Sequence, residues 1–417
     1  MQSDASAAMH APPALPVLVL GGGVAGLSAA LDLARLGIPA LLVERDGFLG
    51  GQVMRLDKVY PTDHCAFCPV WTEAAAAYAH PLVTVRRHTS LEGLEPGADG
   101  ALVTLKTRIP AIDPELCVFC GQCAQACAAN GAAGALVERP LDRTWDPASP
   151  PCPSIDAALC TKCGACVGVC PTQAIVLDRP ERTERALVAD VIYATGFQEP
   201  SRPAAPEFGQ NSHPDVFTAM EFEAWSAEAG ANRGALTRRS NGRAPRSLAF
   251  IQCAGARDQR YLPYCSGVCC MHALKQARWT KRRFPELSCA IFFTDLRAVG
   301  KGYETYARAA AAEGVLLVRS RPGLVIAPTG EDPEAGVALR YEDFVSGRVV
   351  TAEFDLLVLN GGLTACPLPG RAQAQEQVGS RCGFCQEPAD IAQSVVQGAR
   401  AAALAALRLS PRAGGQS

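Results

Sequence analysis

Short apolar runs bounded by glycine or proline recur along the chain, and most are followed by stretches whose apolar residues return at helical spacing. The run "LPVLVL" at residues 15–20 is the first; "GGGVAGLSAALDLARLG" turns from it into a helix ending near Gly37, and "IPALLVERD" is the next strand. A run of four to eight apolar residues between turn formers predicts a buried strand, and apolar return every three to four residues predicts a helix packed on one face. Alternating segments follow in "LVTVRRH" and "ALVTLKTRI", and a strand-like stretch in "ALVADVIYATGFQEP". A polar, proline-rich stretch, 198–246, holds one helical segment, "VFTAMEFEAWSAEAG". The pattern then begins again: "SLAFIQC", a helix from about Gly267 to Phe284, "SCAIFFTDL", a helix near 303–313, "GVLLVRS" and "FDLLVLNGG". The segment "DIAQSVVQGARAAALAALRL" reads as a long terminal helix. Strand and helix in alternation predict an α/β chain with doubly wound sheets.

Residues from Ile109 to about Arg182 break this texture. Cysteine, proline and alanine dominate there and core-like periodicity fades, which marks an inserted module. The division expected is therefore a disordered tail at 1–13, a first dinucleotide domain at 14–108 resumed at 183–200, and an insert at 109–182. A second dinucleotide-domain-like region is expected at 201–362, with 363–410 returning to the first domain. At 417 residues the chain is long enough for several cored domains.

Composition narrows the chemistry. With 48% hydrophobic and 19% charged residues and a net charge of −2, no nucleic-acid footprint is visible. The longest apolar stretch, 14–34, is interrupted by "GGG" and Asp32, so a direct membrane span is not expected. The N-terminal residues lack the basic and apolar segments of a signal peptide. Nineteen cysteines without a secretory signal point to metal sites in a reducing, cytoplasmic setting rather than to a disulfide framework.

Gly21, Gly23 and Gly26 form G-x-G-x-x-G between the first strand and its helix, and Glu44 closes the next strand. Gly21 permits the tight turn, Gly23 lets a pyrophosphate approach the helix N-terminus, Gly26 lets helix and strand pack closely, and Glu44 can accept from ribose hydroxyls. Cys117, Cys120, Cys123 and Cys127 make C-x2-C-x2-C-x3-C, and Cys160, Cys163, Cys166 and Cys170 repeat it before Pro171. This is the spacing of two-cluster bacterial ferredoxins, in which the fourth cysteine of each run serves the other cluster. One [4Fe-4S] cluster then takes Cys117, Cys120, Cys123 and Cys170, and the other Cys160, Cys163, Cys166 and Cys127. Ala128 stands where the first run would usually carry proline.

No second G-x-G-x-x-G follows "SLAFIQC"; Gly300 and Gly302 in "AVGKGYETYA" lack a third glycine, and that segment reads as a surface loop. Four cysteines stand after the strand instead: Cys253, Cys265, Cys269 and Cys270. They suit either a third cluster, of unusual geometry because two ligands are adjacent, or buried thiols behaving as small hydrophobes.

"GGQ" at 50–52, with Gly51 and Gln52, and "YATG" at 193–196, with Thr195 and Gly196, resemble the two-dinucleotide flavoprotein family that includes thioredoxin reductase. That resemblance implies FAD in the first site, and the C-terminal helix after "GFCQEPADI" against the flavin. "IQCAGARD", "YCSGVCC" and "ALKQA" resemble the A subunit of heterodisulfide reductase. The ferredoxin insert and the total length are most similar to the A subunit of the quinone-interacting membrane-bound oxidoreductase, and the likeness runs from about Leu15 to Leu407. The methanogen-type extra N-terminal domain and C-terminal ferredoxin are not matched, which puts electron entry from a hydrogenase-like partner in doubt.

The fold implied is α/β: a thioredoxin reductase-like, two-dinucleotide-binding-domain flavoprotein with an inserted two-cluster ferredoxin domain. The resemblance further implies a flavin-proximal cluster at the YCSGVCC cysteines and Lys275 near flavin N5, where a cation would favour anionic reduced flavin. Glu221 or Glu223 in "MEFEAW" would pair with Lys275, and Lys275 and Glu223 are the candidate catalytic residues. Expected partners are sister subunits of a heterodisulfide-reductase-like or quinone-interacting complex and, in sulfur metabolism, adenylylsulfate reductase; any membrane association would be through those partners.

Two C-x2-C pairs remain open. Cys65 and Cys68 suit a redox disulfide, a place near the flavin or a partner, or a structural role; Cys382 and Cys385 fall close to the flavin by family layout. Cys152, Cys289 and Cys366 read as structural, and His64, His80 and His272 lack ligand-like company. The competing functions are an NAD(P)H-dependent flavoenzyme like the small subunit of glutamate synthase, and a non-catalytic cluster-binding scaffold.

Overall fold

The computed structural model describes residues 15–98, 100–128, 141–146, 149–155, 160–200, 206–208, 213–228, 232, 234–326, 336–368 and 379–410. The expected tail at 1–13 and the side chain of Cys152 lie outside them.

Two parallel sheets carry the fold. The first has the order Ser380–Arg381, Asp190–Tyr193, Val17–Leu20, Ala40–Val43, Val83–Arg86, every neighbour parallel. Its central strands are buried end to end, which is why they read as unbroken apolar runs rather than alternating ones. The second has the order Val216–Thr218, Leu356–Asn360, Ser247–Gln252, Ser288–Phe293, Val315–Arg319, again parallel throughout. A three-stranded antiparallel sheet accompanies each: Thr89–Gly97, Gly100–Thr107 and Arg182–Val188 beside the first, Leu324–Ile326, Val337–Asp343 and Arg348–Phe354 beside the second.

The repeated strand–helix pattern in the sequence is thus a repeated architecture. The segment expected as one strand-like stretch, "ALVADVIYATGF", splits at Ala189. Arg182–Val188 pairs with Gly100–Thr107, and Asp190–Tyr193 crosses into the parallel sheet, with the Ala189 N–H bonded to Pro16 O at 2.9 Å. The segment expected to be helical from Val216 begins as a strand, and its helix covers only Ala219–Ser226. The reason is a capping box: Thr218 Oγ1 accepts the Glu221 N–H at 3.2 Å, and Glu221 Oε2 accepts the Thr218 N–H at 2.9 Å.

The second sheet's core is aromatic. Phe222 meets Phe250 edge-on at 5.6 Å and Phe217 at 5.9 Å, a geometry that adds to burial alone. At the base of the same sheet Arg238, 4% exposed, lies between two carboxylates. Its Nε is 3.0 Å from Asp215 Oδ2 and its Nη1 is 3.5 Å from Asp355 Oδ1. Ser240 Oγ donates to Asp215 at 2.6 Å, and the Arg246 N–H to Asp355 at 2.6 Å. These bonds fix the starts of strands Val216–Thr218 and Leu356–Asn360. Arg238→Met leaves Asp215, fully buried, without its cation. The expected cost is about 3–5 kcal/mol, read as a lowered midpoint in urea unfolding.

Candidate functional site

The first glycine motif opens onto a cavity of about 330 Å³. Gly21, Gly23, Glu44, Gly51, Gln52, Thr195 and Gly196 all line it, so the two dinucleotide motifs and the "GGQ" turn meet at one place. Gly26 does not line it. An added Cβ there would overlap the Gly21 carbonyl, so its role is the close packing of helix Val24–Arg35 on the strand. Gly21 has φ +109, and a Cβ on it would collide with the Ala194 carbonyl. Gly23 meets only Gly51 Cα, at 3.9 Å, which leaves its backbone open to the cavity. Glu44 braces the loop: Oε2 accepts the Gly22 N–H at 2.6 Å and Oε1 the Asp46 N–H at 2.9 Å. Burial raises the Glu44 carboxyl above its ordinary range, against the pull of the Asp46 and Gly22 amides.

Across the cavity stands the N-terminus of helix Ile391–Leu409, capped by Asp390, whose carboxylate takes the Gln393 N–H at 2.8 Å. Two helix N-termini therefore face the same space, a favourable field for phosphate oxygens. Thr195 Oγ1 is buried there with no hydrogen-bond partner, as a hydroxyl waiting for a bound group would be. The open Gly23 backbone, the two N-termini and this orphaned hydroxyl fit a dinucleotide. Cys366, read from sequence as structural, lines the cavity together with Cys382. Burial and then the Cys385 thiol push Cys382 up to about 12. No spacing singles out Cys366; the D-x-x-Q of the terminal helix was the available signal for Asp390.

Lys275 and Glu223 come together, Nζ to Oε1 at 2.5 Å, both 3% exposed. Glu223 is the hub of a wider set. Gln276 Nε2 donates to Oε2 at 2.8 Å, His272 Nε2 lies 3.2 Å from Oε2, and the Asp57 N–H reaches Oε1 at 2.9 Å. His272, which sequence left without company, therefore has it. Glu221 serves the helix cap instead of Lys275. Neither Lys275 nor Glu223 lines the cavity, but Asp57 follows the Gly51–Arg55 turn that does. Burial alone would raise the Glu223 carboxyl, but the Lys275 ammonium and His272 hold it well below the carboxylate range. Burial and then Lys275 hold His272 below its ordinary value.

The two cysteine runs of the insert fold as near copies. Phe119 and Lys162 both have φ 54, Gly121 and Gly164 follow with φ 78 and 76, and Cys123 and Cys166 are each 8% exposed on the short helices Gln122–Ala126 and Ala165–Gly168. Cys123 neighbours Cys117 and Cys120, whereas Cys166 neighbours Cys160 and Cys127, the last from the other run. The crossing of Cys127 is the arrangement its spacing implied. Amide N–H groups point at sulfur, Ala174 to Cys170 at 3.3 Å and Lys162 to Cys160 at 3.4 Å.

At the carboxyl end of the second sheet, Cys253 leaves strand Ser247–Gln252 with φ 58, and Cys269 and Cys270 begin helix Cys269–Arg283. Cys269 neighbours Cys270, Cys265 and Cys253, and Cys270 neighbours Cys253 and Cys265, so all four thiols are gathered. Burial, then these thiols, push Cys269 upward. The side chains of Gln252 and Asn360, directly paired in register and 1% and 2% exposed, have amide nitrogens without partners, donors that cluster sulfurs could occupy. Among the described residues no three His, Cys, Asp or Glu side chains close on a single metal ion; a four-iron cluster spreads its cysteines around a larger body. Half-buried Tyr60 lies within electrostatic reach of both Asp390 and Cys269, and stacks edge-on to Tyr303 at 5.5 Å. Tyr303 in turn donates to Asp390 Oδ2 at 2.6 Å. Tyr303 begins the helix Tyr303–Ala312 that follows the expected surface loop.

Comparison with known proteins bears on the first glycine motif and on the insert. The model of the FAD-dependent oxidoreductase family matches residues 16–64, and that of the 4Fe-4S binding domain matches 110–127 and 153–176. The second of the iron-sulfur A subunits of CoB–CoM heterodisulfide reductase from Methanopyrus kandleri is 34% identical over 94% of this chain. The A subunit of the H2/formate:CoB-CoM heterodisulfide, ferredoxin reductase from Methanococcus maripaludis is 36% identical over 84%. Over most of its length the chain is similar to heterodisulfide reductase A subunits. It spans 64% and 53% of those two relatives' own lengths. Thioredoxin reductase from Lactococcus lactis superposes with a TM-score of 0.50 at 16% identity, covering 94% of this chain and 98% of that one, a likeness of fold. The two family models support FAD and 4Fe-4S clusters, the cofactors expected from the motifs. No helix among the described residues is long and apolar enough to cross a membrane.

Glu223→Gln leaves Lys275 buried without a carboxylate and should cost about 3–5 kcal/mol. In the parent protein, Glu223 stabilises the fold above its ordinary value of 4.5, and that contribution is lost as pH falls below it. His272, neutral in the fold, stabilises above its ordinary 6.5 and likewise loses that contribution on acidification. Stability from chemical denaturation should therefore fall between neutrality and acid pH, and Glu223→Gln should remove the Glu223 part of the acid limb below 4.5.

Proposed function

We propose that this chain relays electrons between FAD, the two ferredoxin clusters, a third iron–sulfur cluster and partner proteins. When bound, FAD exchanges an electron pair and each cluster a single electron. The observation that carries the reading is the gathering of Cys253, Cys265, Cys269 and Cys270 at the carboxyl end of the second sheet, where a nicotinamide-dependent relative would bind its dinucleotide. In this reading the four thiols hold the third cluster, with Gln252 and Asn360 donating to its sulfurs. Tyr60, within electrostatic reach of Cys269, and Tyr303, bonded to Asp390 at the flavin cavity, form a contact pair that links the two sites. Glu223 holds the Lys275 ammonium in one place, and through Asp57 it holds the Gly51–Arg55 turn against the cofactor.

The names of the relatives support sister subunits of a heterodisulfide-reductase-type complex as partners. A quinone-interacting complex in sulfur metabolism, with adenylylsulfate reductase as the onward partner, is the narrower form of this proposal; it rests on the resemblance in layout. The address proposed is cytoplasmic, with membrane contact made by other subunits.

Iron per FAD in protein purified without oxygen tests the third cluster. The expected result is about 12 irons per FAD, falling toward about 8 in Cys269→Ala/Cys270→Ala. A value near 8 in both proteins sinks the third cluster, and rapid bleaching of the flavin by NADH would return the second sheet to a nicotinamide.

A further inference from the structure

Cys65 and Cys68 take no part in the sites above. Cys65 closes the two-residue strand His64–Cys65, directly across from Lys58, and Cys68 lies just inside the helix Phe67–Ala79. Both are free thiols and hydrogen-bond to each other. Cys65 sulfur also accepts the N–H groups of Phe67 and Cys68, the first amides of that 13-residue helix, which have no acceptor within the helix itself. Lys58 adds its ammonium, held over the Trp279 ring at 4.8 Å. The pair is asymmetric: Cys65 is half-buried and carries the donors that stabilise a thiolate, whereas Cys68 is exposed.

We propose that Cys65 and Cys68 form a reversible dithiol–disulfide couple that exchanges with an external disulfide. The Cys65 thiolate attacks one sulfur of that disulfide; a Cys65–sulfur bond forms, the external S–S bond breaks, and one external thiolate leaves. Cys68 then loses its proton and attacks Cys65 sulfur, closing the Cys65–Cys68 bond and releasing the second external thiolate. Two electrons pass from the pair to the external disulfide, and protons from the two cysteines follow to its thiolates. An external dithiol runs the same steps backward. The helix amides and Lys58 supply the thiolate, the S–H···S contact sets the resolving thiol within reach, and the exposure of Cys68 leaves the site open.

Equilibration of the intact, cofactor-loaded protein with mixtures of reduced and oxidised dithiothreitol, followed by maleimide labelling and peptide mass spectrometry, tests this. The peptide carrying both residues should lose both labels together and become about two mass units lighter. Cys68→Ser should stop at a mixed disulfide on Cys65 when offered glutathione disulfide, and Cys65→Ser should form none at the same rate. Iron per FAD should be unchanged in both variants. Labels that persist at every ratio overturn the proposal. So does a loss of about 4 irons in either variant, which would make the pair cluster ligands instead. Exchange with glutathione disulfide but not with insulin points to a small disulfide, and the reverse to a protein-borne one; either supports the couple.

Discussion

The contact on which most else depends is the near-touching of backbones around helix Val24–Arg35. On one side Gly26 lies against the Gly21 carbonyl; on the other, Gly398 of the terminal helix lies against the Ala25 carbonyl, with Ser28 Oγ donating to Val395 O at 2.9 Å across 367 residues of chain. Gly383 completes the set, packed on the Ala25 Cβ. A single methyl group at any of these points would separate the layers. Because they hold, the first and last parts of the chain wall one cavity, and both helix N-termini aim into it. The flavin site is thus built from segments that only the finished fold brings together.

A second constraint joins the two units. Glu223 is a buried carboxylate with a cation, an amide and a ring nitrogen from helix Cys269–Arg283 and one backbone N–H from the flavin side. A buried charge holds its partners tightly because loosening any of them leaves it uncompensated in a medium that solvates it poorly. The arrangement couples the wall of the cavity to the helix that starts with Cys269 and Cys270.

Much of this was legible in the residues. Periodicity marked the buried strands because parallel sheets covered on both faces demand unbroken apolar runs, and the glycine and cysteine spacings are dictated by the groups they hold. What was not legible has equally physical causes. Val216–Thr218 looked helical because three residues are too few for a period, and the capping box that ends the strand is a matter of side-chain geometry. Cys366 reached the cavity wall through tertiary packing alone, with no local pattern to betray it. His272 joined Glu223 from 49 residues away, a meeting that strand order decides and spacing does not.

The ferredoxin-like insert leaves the host between Gly100–Thr107 and returns on Arg182–Val188, strands that pair directly, with Thr107 opposite Arg182. Its two ends are therefore anchored side by side in a hairpin that would exist without it. Such a junction is a socket: the host's sheets register identically whether the socket carries a short turn or a whole electron-carrying module. A short turn from Thr107 to Arg182 would close the same hairpin, so the insert adds electron carriers without asking the flavin machinery for a new foundation.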